Sequence, residues 1–378
     1  MPIRSIKTGG NTSDTTTMGR ILLRLLLVGT AAAWVLAPGS SALAPSSDEL
    51  GAVAAPQAKS WAAPQIASVV LAGLMGPDVT RFRPDDALTR RELHEAILAL
   101  GQPHQAPADP LRVVTMRELD AQLVAAAGLL PAARTIRLAA RDAGLEPTDM
   151  LGTETIARLI GLRVNHPQSS EALERGPKEP ASRAEAAYSL AKLNVLDRAR
   201  VKLVQELVAG FSFPALPTWQ RAVISRALRF VGYPYVFAGT SEKPQMLWSA
   251  TAPGNLVSVP AGFDCSGLVW RVYKLQPFDG APSLATVLKG RTTYVMSGEV
   301  GKPLRVDPAA LEPGDVLFFG SKGAKSKPWE IGHSGIYVGN GWFVHSSSGG
   351  VTLQPLQGWY ATTLAWARRP IAEAGLLV

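Results

Sequence analysis

The sequence predicts an α+β domain at the C-terminal end of the chain, set behind a region built from helices alone. Between residues 61 and 210 apolar residues recur at helical spacing. From 219 onward, amphipathic helices give way to β-branched and aromatic runs punctuated by glycine turns. Phe211-Ser-Phe-Pro-Ala-Leu-Pro217 divides the two patterns, and its prolines predict a stiff linker over 211–218.

A chain of 378 residues suits two or three domains. Hydrophobic residues make up 47 % and charged residues 18 %, enough for a packed core and against wholesale disorder. Lys+Arg 38 against Asp+Glu 30 leaves a formal charge of +8, which attracts anionic partners such as nucleic acid, anionic lipid or wall polymers, and also keeps a surface soluble. The charge is spread, with only a modest cluster at Lys322, Lys325 and Lys327, so no nucleic-acid partner is expected. A single cysteine excludes an intramolecular disulfide.

The first 44 residues read as a leader. Arg20 and Arg24 precede and interrupt the apolar run 21–37, and small residues at Ser40, Ala42 and Ala44 follow, the layout of a secretory signal peptide. Cleavage fits after Ala42 or after Ala44, and Met18 is an alternative start. An uncleaved anchor helix is the competing reading of the same run; after cleavage no stable membrane insertion is expected. Residues 45–60, rich in Ala, Pro and Ser, form a flexible lead-in.

In the helical region over 61–210, Ile66, Val69, Val70 and Leu74 mark a first helix that Gly76-Pro77 breaks. Thr89 with Glu92 three residues on is a capping box, and the helix it opens runs to Gly101. Thr115-Met-Arg-Glu118 and Ser182-Arg-Ala-Glu185 open two more, and residues 134–162 hold a further pair of helical patterns. A helix–loop–F-x-P–T-R-x-E–helix order, carried by Ala72-Gly-Leu-Met-Gly76, Phe82, Pro84, Thr89, Arg90 and Glu92, resembles an S-layer homology repeat, with degenerate copies later. The resemblance implies attachment to an anionic wall polymer, with Arg90 and Arg183 facing it; a capping box alone occurs in any helix.

The C-terminal part begins with an amphipathic helix over 219–232, carrying Val223, Ile224, Leu228 and Val231. Leu268, Val269 and Val272 place the start of another at Cys265, with Asp264 as N-cap. A lone cysteine is usually a buried structural thiol. At a helix start, however, unpaired N–H groups and the dipole depress a thiol's pKa and offer donors to an oxyanion. A base is then needed. His94, His104 and His166 lie in the helical region, where surface or core roles account for them. His333 and His345 flank Gly339-Asn-Gly341 in a β-hairpin. Gly341 supplies the left-handed third residue of a three-residue loop over 339–341, which is the expected turn; it pairs 338 with 342 and sets His345 opposite Gly335, so both imidazoles face one side, whereas a two-residue loop separates them unless a bulge restores the register. Leu311-Glu-Pro-Gly-Asp-Val-Leu-Phe-Phe319 supplies a turn and a buried strand before the hairpin.

Together Gly232-Tyr-Pro-Tyr235, Phe263-Asp-Cys-Ser-Gly-Leu268, Leu311-x-Pro-Gly-Asp-Val-Leu-Phe-Phe319 and Gly332-His-Ser-Gly-Ile-Tyr-Val-Gly-Asn-Gly341 with His345 resemble the NlpC/P60 family, over about 219–370. The resemblance implies a papain-like α+β fold and a secreted cysteine peptidase of the cell wall or periplasm, without cofactor or metal. It would act on peptidoglycan stem peptides, often at the γ-D-glutamyl bond to a diamino acid. Cys265 is then the nucleophile, His333 the base and His345 the orienting residue, while Tyr235, Asp264, Ser266 and Arg291 line the substrate site. A silent wall-binding protein and an acyltransferase using the same thiol are the alternatives. The chain departs from the family in a long stretch over 241–260, in Met296 where glutamine is common, and in Ser334 after the base.

Overall fold

The computed structural model describes residues 60–163, 174–248 and 254–376. The leader at 1–44, the lead-in up to residue 59, His166 and residues 249–253 of the 241–260 stretch lie outside the described residues.

Among the described residues, seven α-helices make up the first part: α1 (Ala63–Leu71), α2 (Arg90–Ala99), α3 (Met116–Ala126), α4 (Leu130–Asp142), α5 (Leu151–Leu159), α6 (Arg183–Asn194) and α7 (Arg198–Ala209). The three T/S-x-x-E segments head α2, α3 and α6. Their backbones close into a ring. Leu88 N–H donates to the Ala181 carbonyl (2.8 Å), Val114 N–H to Leu88 (2.9 Å), and Ala181 N–H to Val114 (2.8 Å). One step along, Arg90 N–H donates to the Arg112 carbonyl, Met116 to Glu179 and Arg183 to Asp86, which runs round the ring in the opposite sense. The three segments are thus equivalent around a pseudo-threefold axis, and each supplies the backbone partners that the next requires.

Ion pairs follow the cycle. Arg183 pairs with Glu92, and Arg90 with Glu118 at 3.2 Å. At the third corner Met116 stands where the other two copies carry arginine. Arg163 comes in from beyond α5 instead, lying 3.9 Å from Glu185 and 3.6 Å from the Met116 sulfur. This geometry corrects the expectation that Arg183 faces a wall polymer. Its Nε donates to the Phe82 carbonyl (2.7 Å), its guanidinium lies over the Phe82 ring, and the side chain is buried. Arg90 remains partly exposed.

The second part is α+β. Helix α8 (Thr218–Leu228) leads to a small hairpin arm: β1 (Thr240–Ser241) pairs with β4 (Gly262–Phe263), and β2 (Gln245–Trp248) with β3 (Leu256–Val259). Met246, Trp248 and Leu256 are exposed on the arm. Helices α9 (Cys265–Tyr273), α10 (Leu284–Val287) and α11 (Thr293–Gly298) follow. Then come β5 (Val316–Gly320), β6 (Ile331–Gly339), β7 (Trp342–Ser347), β8 (Gly350–Pro355), α12 (Trp359–Thr363), β9 (Leu364–Arg368) and α13 (Pro370–Glu373). The strands form one antiparallel sheet in the order β8-β7-β6-β5-β9.

Alternation assigns the two faces. Val316, Phe318, Ile336, Val338 and Val344 join the core that α9 completes through Leu268, Val269 and Val272. Leu317, Phe319, Phe343, Leu364 and Ala367 form a second cluster, against which Tyr360 of α12 packs. The segment after α7 lies along the far end of the hairpin. Phe211 is buried with its ring edge-on to Trp342 at 4.7 Å, and Asn340 Nδ2 donates to the Ser212 carbonyl (3.1 Å).

Candidate active site

Cys265 is the first residue of α9. Asp264 holds extended backbone geometry and its Oδ1 accepts from the Gly267 N–H, the N-cap expected there. Gly267 must stay small, because a Cβ would strike the Gly239 carbonyl. The adjacent strand acts on the thiol through Ser334, which with the Ser266 amide favours its charged form. Sequence reasoning treats Ser334 only as a departure from the family. The available signal was alternation, since the residue after a base on a strand points to the opposite face, here toward α9.

On β6 and β7, Gly335 pairs with His345, the predicted register at the site. The tip differs from the expectation. Gly339 pairs with Trp342, leaving the two-residue turn Asn340-Gly341, and the ladder slips between Tyr337 and Gly339. Asn340 and Gly341 both have positive φ (48° and 75°), the combination a tight I′ hairpin turn requires. The bulge restores the register, and both imidazoles share one face. His333 Nε2 and His345 Nδ1 are 2.9 Å apart with the rings perpendicular. Phe343 stacks on His345 at 4.6 Å, and Tyr360 packs against both rings. Gly335 leaves room for this: a Cβ there would lie 2.8 Å from the Phe343 ring.

With Nε2 of His333 occupied by His345, Nδ1 is the ring nitrogen left to exchange a proton. Burial holds His333 down to about 4 and His345 well below the usual imidazole range, where the His333 ring adds to the effect. The Cys265 thiol is pushed up to about 11, first by burial and then by the Asp264 carboxylate. The direction is opposite to the depression expected at a helix start: burial and the Asp264 carboxylate outweigh the Ser334 and Ser266 hydrogen bonds. Both shifts favour a neutral thiol and a neutral imidazole.

The remaining expected residues gather around the start of α9. Arg291 Nη1 donates to Ser266 Oγ (2.7 Å) and Asp264 Oδ1 (3.2 Å), and Nη2 to Asp264 Oδ2 (3.1 Å) and the Ala238 carbonyl (3.0 Å). Burial, Cys265 and Asp264 together raise the Tyr235 phenol, which places its hydroxyl among them. His94 and His104 stay apart from this site and meet each other through their Nδ1 atoms at 2.8 Å. Among the described residues no His, Cys, Asp and Glu cluster is arranged to hold a metal ion.

A thiol at a capped helix start and two imidazoles in contact on neighbouring strands agree with the family comparison. Residues 232–369 carry an NlpC/P60 family domain. Within this NlpC/P60 part the chain is 33 % identical over 133 residues to "Probable endopeptidase Rv2190c" of Mycobacterium tuberculosis, covering 35 % of this chain and 25 % of the relative. It is 30 % identical over 138 residues to "Probable peptidoglycan endopeptidase LytE" of Bacillus subtilis, covering 36 % and 30 %. The "Gamma-DL-glutamyl hydrolase" of Bacillus subtilis is 30 % identical over 125 residues, covering 33 % and 22 %. The match therefore spans less than a third of each relative's length.

Proposed function

We propose that the protein is a secreted cysteine peptidase that hydrolyses amide bonds in peptidoglycan stem peptides, at the γ-D-glutamyl bond to the diamino acid. The observation that carries it is the His333–His345 contact at 2.9 Å beside Ser334, which favours the charged form of the Cys265 thiol. The peptidoglycan endopeptidase and glutamyl hydrolase names of the relatives support the substrate class.

In this reading the thiol proton passes to His333 Nδ1 as sulfur bonds to the carbonyl carbon. The oxyanion is held by the Cys265 N–H, which as the first residue of α9 has no acceptor within the helix. The C–N bond breaks as the imidazolium returns its proton to the departing amine. Water then attacks the thioester, giving its proton to His333, and the thiol is restored. His345 keeps the His333 ring oriented and, accepting from Nε2, fixes the tautomer in which Nδ1 is the base. Asp264 and Arg291, with Tyr235 and Ser266, form a polar end of the groove suited to a free amine and its neighbouring carbonyl. Residues 219–378 form the peptidase part, and the helical region over 61–210 holds it at the wall, with Arg90 rather than Arg183 available to an anionic polymer.

The test is incubation of wild type and Cys265→Ala with stem tetrapeptides. Wild type releases an N-terminal dipeptide and a new amine on the diamino acid; equal release by the variant refutes the assignment.

A further inference from the structure

A buried charge cluster in the helical region reaches the catalytic part through one side chain. Asp120, Glu154, Glu174, Arg158 and Arg163 are all buried. Arg163 lies 3.4 Å from Asp120 and 2.7 Å from Glu174; Arg158 lies 3.2 Å from Glu174 and 3.8 Å from Glu154. Arg163 makes its other contacts within the helical region, to Glu185, Met116 and the Arg175 carbonyl, whereas Arg158 Nη2 donates to the Gly232 carbonyl at 2.7 Å, across 74 residues of chain.

The segment that begins at Gly232 joins the two halves of the active site. On one side Phe263 N–H donates to Pro234 and Val236 N–H to Phe263, two residues before Cys265. On the other, Gly232 N–H donates to Val351 and Val351 N–H to Tyr233, on the strand paired with His345. Ser346, next to His345, closes the circuit by donating to the Phe263 carbonyl (2.6 Å). The fit around Arg158 is tight from both parts. A Cβ at Gly350, whose φ is +72°, would lie 2.5 Å from its Nη1, and a Cβ at Gly232 would lie 2.9 Å from Glu154.

We propose that Arg158 is a positioning residue of the peptidase: it clamps the 232–236 segment, and through it sets the separation of the Cys265 helix from the His333–His345 strands. The helical region is then part of the catalytic architecture as well as a means of attachment. This inference rests on the hydrolase reading for its turnover readout. It is tested independently of it by thiol chemistry.

The decisive comparison is Arg158→Lys against Arg163→Lys in the full chain. Both keep a buried cation in the same cluster, but Arg158 reaches Glu174 and the Gly232 carbonyl through one nitrogen, Nη2, and a lysine at 158 ends one atom short of it. A misplacement of about 1 Å at a catalytic pair costs up to about 100-fold in rate. R158K is expected to lose about tenfold or more in kcat on stem peptide with KM within about twofold, while R163K keeps both. Alkylation of Cys265 by iodoacetamide should also change its pH profile in R158K alone, because loosening the clamp lets water reach the thiol. Equal kcat and equal alkylation profiles in R158K and R163K overturn the proposal. If wild type does not hydrolyse stem peptide, the hydrolase reading fails and the alkylation comparison still decides the clamp. Should R158K not fold, Glu174→Gln leaves the guanidinium in place but frees it, and is expected to shift the alkylation profile in the same direction by a smaller amount. An unshifted profile there overturns the proposal.

Discussion

Replacing Asp264 by asparagine should make Cys265 more reactive and the protein less active at the same time. The Cys265 thiol stands at about 11, raised first by burial and second by the Asp264 carboxylate. At pH 7.5 a thiol at about 11 is roughly 3 parts in 10,000 thiolate, whereas an ordinary cysteine near 8.5 is about one part in ten. The roughly 300-fold deficit is partly offset, because a more basic thiolate is the better nucleophile. With a Brønsted slope of about 0.45, a difference of about 2.5 units returns about 13-fold. Wild-type Cys265 should therefore alkylate about 20- to 30-fold more slowly than a free cysteine at pH 7.5, with a rate that climbs up to about pH 11. Asp264→Asn removes the neighbouring carboxylate and leaves the Arg291 guanidinium without its carboxylate partner, and both changes favour thiolate. A fall of about one unit gives about tenfold more thiolate and about threefold faster alkylation after the nucleophilicity correction. Hydrolysis should fall at least about tenfold in the same variant, because the amine-binding end of the groove has lost its charge. The assay is iodoacetamide labelling followed by intact mass across the pH range. A wild-type profile centred near or below 8.5, or slower labelling in D264N, would refute this account of the site's electrostatics.

Other outcomes follow from the same geometry. Since His333 stands at about 4, the acidic limb of kcat/KM should lie below about pH 5 rather than near 6.5, measured as a pH–rate profile on stem peptide. His333 and His345 are depressed in the folded state, so the stability they contribute is present above about pH 6.5 and is lost as pH falls toward their folded values. For His333 this amounts to about 3 kcal/mol by pH 4, read from urea midpoints of wild type against His333→Gln. His345→Ala removes the partner of His333 Nε2 and should lower kcat about 10- to 100-fold with little change in KM. Arg183→Met removes the cation beside Glu92, which keeps its hydrogen bonds from Thr89, and should cost about 1–3 kcal/mol of stability, with kcat unchanged per folded molecule.

The parts of the site that were legible in the sequence are those written in local pattern. Asp264 before an apolar helical spacing marks the start of α9, and Gly-Asn-Gly between two strand patterns marks the hairpin that carries His333 and His345. The hairpin tip was less legible, because a two-residue turn with a bulge and a three-residue loop bring the same residues opposite each other. Thr89, Thr115 and Ser182 announce three helix starts, but their closure into one ring depends on hydrogen bonds between residues as far apart as Asp86 and Arg183, which no periodicity encodes. Arg183 looks like a surface residue by composition and is buried because Phe82 and Glu92 enclose it. The sign of the Cys265 shift was misread for the same reason: a helix terminus is visible in sequence, whereas the loss of solvent around a thiol is a property of packing. Arg158, distant in sequence from every catalytic motif, could be recognised only from its contact with Gly232.

The most direct test of the central claim is hydrolysis of purified peptidoglycan in water enriched in oxygen-18, with products identified by mass spectrometry. Thioester hydrolysis at Cys265 predicts one heavy oxygen in each new D-glutamyl carboxylate, and no such product from Cys265→Ala. The same fragments from the variant, or no fragments from a folded wild-type protein, would contradict it.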